Sequence, residues 1–85
     1  MTNREKWHAA LLKEFTADPP QPLLIRGNTG THIMPAKTPE QCADTFTTGI
    51  IEGGAGTTGP RIARACRALG IKQTRKAIRE YCAAD

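Results

Sequence analysis

The sequence predicts a small α+β domain: an N-terminal helix, a β-hairpin, then three helices, the last two a basic pair. Three observations carry this reading. Apolar residues recur at helical spacing in three separate stretches, two short apolar arms flank a glycine-rich turn, and cap residues mark where each helical pattern begins. The 85 residues suffice for one domain, residues 1–85, with residues 59–85 as the basic pair within it. Only four residues are large aromatics, Trp7, Phe15, Phe46 and Tyr81. The core is therefore built chiefly of Leu, Ile and Ala, and a core this thin makes a homodimer a reasonable expectation.

Thr2 and Glu5 have capping-box spacing and start the first helix. Trp7, Leu11 and Phe15 line one face every four residues, with Ala10 widening the stripe, and Asp18-Pro19-Pro20 stops the helix. The stripe reads as core. After a stiff Pro-Gln-Pro connector, "LLIRGNTGTHIM" places two apolar arms around Gly27-Asn28-Thr29-Gly30, a hairpin of about residues 22–34. His32 in its second arm reads as a solvated strand residue.

Thr38, Pro39 and Gln41 are an N-cap, a first-turn proline and the far half of a capping box. Cys42, Ala43 and Phe46 form the inner face of that second helix. Gly49 is the expected left-handed terminator, which leaves Ile50 and Ile51 as a brief strand or core plugs. In "PRIARACRALG", Ile62, Ala65, Cys66 and Leu69 make an apolar stripe with Arg61, Arg64 and Arg67 on the other side. Gly70 ends this helix and Ile71 packs back across the turn. A last helix is expected from about Lys72, burying Ala77, Ile78, Tyr81 and Cys82 and exposing Lys72, Lys76 and Arg79, with Arg75 beside them.

Between the second and third helices lies "GGAGTTGPR", in which Gly54, Gly56 and Gly59 spell G-x-G-x-x-G. A dinucleotide fold would need a second strand ending in an acidic residue about 20 positions on. Only two basic helices follow, with Glu80 inside one of them, so the cofactor reading is rejected. No Gly-Lys-Ser/Thr closes a P-loop. The stretch reads as a flexible joint that delivers the basic pair. Its sharper version is an anion site at a helix N-terminus, where Thr57, Thr58 and Arg61 would join free amides around a backbone phosphate.

The charge is uneven. Residues 1–18 are neutral, residues 19–58 carry net −1, and residues 59–85 carry net +5 within a total of +4. Seven of the twelve basic groups fall in this last stretch, and five of the seven are arginines, which grip phosphate with two parallel hydrogen bonds. Residues 61–82, "RIARACRALGIKQTRKAIREYC", resemble prokaryotic helix-turn-helix pairs in general: a helix with small residues, Leu69-Gly70-Ile71, then a Gln-Thr start to a basic helix. With Gly70 as the turn glycine, the second-helix core positions fall on Lys76 and Arg79, out of phase with Ala77, Ile78 and Tyr81. Either the turn is shorter or the helices form a plain hairpin.

Enzyme signatures are missing: no paired carboxylates, no G-x-S-x-G, no Cys–His arrangement, and little room for a closed cleft. The three cysteines and two histidines lack metal-ligand spacing, and an odd, scattered cysteine set fits a reducing cytoplasm. No cofactor, metal or membrane segment is expected. The leading expectation is a cytoplasmic, phage-type DNA-binding accessory protein. It would use Thr57, Thr58, Arg61, Arg64, Arg75, Lys76 and Arg79 on phosphates, and Lys72 and Gln73 near base edges. The alternative is a protein-interaction module or inhibitor whose basic face docks on an acidic protein.

Overall fold

The structure, a computed structural model, describes residues 1–84. The order of elements is α1 (Asn3–Ala17), β1 (Leu23–Gly27), β2 (Gly30–Met34), α2 (Pro39–Glu52), α3 (Pro60–Leu69) and α4 (Arg75–Ala83). The expected α+β order of one helix, one hairpin and three helices is present. No described helix is long and apolar enough to cross a membrane.

Helix α1 organises the rest. Its Thr2 side chain accepts from the Glu5 N–H at 3.1 Å, and the Glu5 carboxylate accepts from the Thr2 N–H at 3.1 Å. The Thr2 backbone N–H first, and the Thr2 side chain second, bond the Glu5 carboxyl and hold it below its ordinary value. Downstream, Trp7, Leu11 and Phe15 are buried, and α2, α3 and α4 all pack against this face. The core adds Cys42, Ala43 and Ile50 from α2, Ile62, Ala65 and Cys66 from α3, and Ile78 from α4. Phe15 and Phe46 meet at 5.4 Å between ring centroids, tilted by 33°. At the far end the Asn3 amide donates to the Ala84 carbonyl, tying the start of α1 to the end of α4.

The capping box of α2 forms as the spacing predicts, with Thr38 and Gln41 exchanging bonds of 3.0 and 3.1 Å. Its end differs. The helix runs through Gly49, Ile50 and Ile51 and stops at Gly53, which takes a left-handed φ of 102°. There is no third strand among the described residues, and Ile50 is fully buried as a helical residue. Gly49 has a different use: a Cβ there would lie 2.7 Å from the Cβ of Ala55, so the missing side chain lets the following loop fold back onto the helix.

Helix α3 begins with Pro60 after an extended Gly59, and Gly70 ends it with φ 69°. The Ile71 N–H returns to the Cys66 carbonyl at 3.0 Å, the expected Schellman geometry, and Ile71 packs on the core. The last helix starts three residues later than its basic spacing suggests, because Thr74 is the N-cap and accepts from the Ala77 N–H at 3.1 Å. Lys72 and Gln73 therefore lie in the turn. The buried face of α4 is centred on Ile78, and Lys76 and Arg79 are exposed. The pair has helix–turn–helix connectivity, but α3 packs chiefly on α1, and α4 packs on both α1 and α2.

The hairpin stands apart. Leu23 pairs with Met34, Leu24 with Ile33, Ile25 with His32, Arg26 with Thr31 and Gly27 with Gly30. Asn28 and Thr29 turn the chain at negative φ, and Gly30 at φ 123° restores the strand direction. All ten strand residues are exposed.

Two predictions follow from this packing. Gly49→Ala should lower stability by ~1–3 kcal/mol in urea unfolding despite alanine's better helix propensity, and adding Ala55→Gly should restore part of the loss. Thr47 is buried and its hydroxyl has no hydrogen-bond partner among the described residues. Thr47→Val should therefore leave stability unchanged or raise it by up to ~1 kcal/mol, where an ordinary buried threonine would lose.

Candidate functional site

Seven of the nine residues singled out by sequence divide into two groups, and the other two, Thr57 and Thr58, lie in the loop before α3. Arg61, Arg64, Gln73 and Arg75 are engaged within the fold. Arg61 donates from Nε to the Asp18 carbonyl at 2.8 Å, and its guanidinium lies 4.8 Å from the centroid of the Phe15 ring. Arg64 donates from Nε to Glu14 Oε2 at 2.6 Å. Both arginines sit on the side of α3 that meets the end of α1. These pairs are partly solvent-exposed, Asp18 and Arg64 more than Arg61 and Glu14, so their contribution to stability is modest.

Arg75 has the most demanding position. One terminal nitrogen donates to the carbonyls of Gly49 at 3.2 Å and Ile50 at 2.8 Å, and the other to Ala55 at 2.5 Å. These include carbonyls in the last turn of α2, which have no partner inside their own helix and carry the negative end of its dipole. The planar guanidinium can reach three carbonyls in different directions, which an ammonium cannot do with the same fixed geometry.

The same contacts decide the glycine loop. The Gly49 carbonyl also accepts from the N–H groups of Gly53, Gly54 and Ala55 at 2.8, 2.7 and 3.0 Å. Further on, the Gln73 amide donates to the carbonyls of Thr57 at 2.8 Å and Gly59 at 3.3 Å. The expected flexible joint is thus fastened at both ends by side chains from the turn before α4 and from its first residue. Several glycine-rich-loop amides are already spent on Gly49. Thr57 is half-buried, while Thr58 is exposed and lines a shallow cavity of about 220 Å³ with Phe15, Phe46, Gly59, Pro60 and Arg61. The N-terminus of α3 has no side-chain cap, but the Arg61 guanidinium beside it is committed to Asp18 and Phe15.

Lys72, Lys76 and Arg79 form the second group. All three are exposed and make no ion pair among the described residues. Arg67, in the last turn of α3, shares this condition. It belongs to the same run of arginines as Arg61 and Arg64, and its freedom could be told from theirs only by seeing which of the three faces α1. Lys76 and Arg79 border an open groove of about 660 Å³ between α4 and the end of α2, whose floor includes Ile51 and Ala83 and whose rim also carries Glu80.

Elsewhere, His8 Nε2 lies 2.5 Å from Asp44 Oδ1 and bridges α1 to α2. Burial pushes the Cys66 thiol up, and burial does the same at Cys82 with Arg4 opposing it, so neither favours the reactive thiolate. Among the described residues no group of three His, Cys, Asp or Glu side chains is placed to hold a metal ion.

The bonds of Arg75 predict that Arg75→Ala destabilises the fold by ~1.5–3 kcal/mol in urea unfolding, and that Arg75→Lys recovers less than half of this. No protein family, no curated protein and no solved structure matches this chain.

Proposed function

We propose that this protein is a small, non-enzymatic DNA-binding accessory protein that holds the phosphate backbone with Arg67, Lys72, Lys76 and Arg79. The observation that carries the reading is the set of four exposed cations with no acidic partner among the described residues, in the part of the chain that supplies all of its net positive charge. Unpaired surface cations are electrostatically available to a polyanion, whereas Arg61, Arg64 and Arg75 would have to abandon internal partners to bind one. Binding of this kind is tolerant of sequence, because phosphates carry no base information. Lys72 and Gln73 are less suited to reading base edges than their place in the sequence suggests. Both lie before the helix, and the Gln73 amide is held by Thr57 and Gly59.

A second reading rests on the groove beside α4. Cations around an apolar floor that includes Ile51 and Ala83 suit an acidic, partly apolar peptide segment of a partner protein as well as they suit phosphates.

Salt separates the two. About four phosphate contacts predict that log Kobs for duplex DNA falls with log salt at a slope of roughly −3 to −4. Fluorescence anisotropy at two or more salt concentrations measures that slope. Lys76→Glu with Arg79→Glu should abolish binding while leaving the urea midpoint within about 0.5 kcal/mol of the parent. A protein that binds neither duplex nor single-stranded DNA at low salt would falsify the DNA reading. Arg75 is unsuitable for this test, because its loss damages the fold.

A further inference from the structure

Phosphate contacts use the rim of the groove beside α4 and give its floor no role. The groove, of about 660 Å³, is lined by Ile51 from α2 and by Arg75, Lys76, Arg79, Glu80 and Ala83 from α4. Lys76 and Glu80 stand four residues apart on one helix face, yet neither they nor Arg79 make an ion pair among the described residues. Ile51 is half-buried but is not among the side chains packed on the hydrophobic core, so its aliphatic chain is surface within the groove. The shape of the groove is set in advance. Arg75 ties the first residue of α4 to the carbonyls of Gly49, Ile50 and Ala55, which fixes one wall against the other and leaves little to order on binding.

Cations beside an apolar floor distinguish between forms of DNA. A duplex keeps the faces of its bases stacked on one another, so it offers phosphates to Lys76 and Arg79 but no flat apolar face to Ile51 and Ala83. A single strand offers both, because each base can leave the stack and lie on a protein surface while its phosphates are held. Hydrogen bonding separates nucleic acid from peptide where charge alone does not. Among the lining side chains Lys76 and Arg79 donate, Glu80 alone accepts, and the donors of Arg75 are already engaged. A nucleotide strand carries mostly acceptors, with an exocyclic amino group on some bases for the single carboxylate. An extended peptide brings N–H and C=O groups in equal number and needs as many acceptors as donors. An amphipathic helix satisfies its own backbone but needs apolar anchors spread over two turns, and this floor has one isoleucine and one alanine.

We propose that the partner is single-stranded DNA, with Lys76 and Arg79 on neighbouring phosphates and one unstacked base lying over Ile51 and Ala83. This rests on the DNA-binding reading and narrows it. The floor is aliphatic, so the preference for a single strand is modest, on the order of fivefold.

Fluorescence anisotropy of the full chain at one low salt concentration tests it, with a mixed-sequence single strand of about 15 nucleotides and the duplex of the same length. The single strand should bind about fivefold more tightly. Ile51→Gln should weaken single-strand binding by about that factor and leave duplex binding within about twofold. Ala83→Gln, at an exposed position, fills the same floor and should act in the same direction. An unchanged urea midpoint and far-UV circular dichroism spectrum show each fold intact. Binding to neither form of DNA removes the DNA reading and this inference together. A duplex bound as tightly as the single strand removes only this inference, and so does equal weakening on both forms by the two folded variants. An acidic peptide of alternating Glu and Leu that binds more tightly than the single strand at the same salt overturns it in favour of a protein partner.

Discussion

Helix α1 is the constraint on which the rest of this structure depends. In a chain with four large aromatic residues, two of them, Trp7 and Phe15, lie on one stripe of this helix with Leu11 between them, and all three are buried. The other three helices each reach the core by packing on that stripe. Helix α4 depends on α1 and α2 together. It is only nine residues long and buries one residue completely, Ile78, so little but tertiary contact holds it helical. A helix that short in isolation would be largely unfolded. The tie from Asn3 to the Ala84 carbonyl and the packing on α1 keep it in register.

Arg75 then turns a set of helices into a fixed arrangement. It joins the first residue of α4 to the end of α2 and to the loop between α2 and α3, and Gln73 completes the attachment two residues away. This division of labour bears on function. A basic stretch in a sequence looks like one electrostatic surface, but the fold spends three of its arginines on carbonyls, carboxylates and an aromatic ring. What remains for a partner is smaller and differently placed: two residues at the ends of the turn or of α3, and two along α4.

The hairpin shows the opposite situation, an element complete in its hydrogen bonding and unsatisfied in its side chains. Its register and turn are well defined, yet none of its residues enters the core. Placing uncovered Leu, Ile and Met beside a well-capped helical body is costly, and it leaves the core of the helices with fewer large aliphatic side chains. The apolar residues missing from the core are in the ribbon.

Much of the fold was legible in the sequence because its signals are short-range. Thr2 with Glu5, Thr38 with Gln41, Gly70 with Ile71, and the turn from Gly27 to Gly30 each act over a few residues, through hydrogen bonds or backbone conformations that neighbouring residue types specify on their own. The apolar stripe of α1 was equally plain. What only tertiary structure decided involves partners far apart in the chain. Gly49 looked like a terminator, but Gly53 ends the helix, and the close approach of Ala55 explains the glycine. Arg75 looked like part of a solvent-facing ridge, but its partners lie 26, 25 and 20 residues back, and no local pattern announces them. The candidate site divided along the same line. Positive charge is a property of composition, whereas whether a given cation is free depends on which carbonyls and carboxylates the packing of α1 brings within reach.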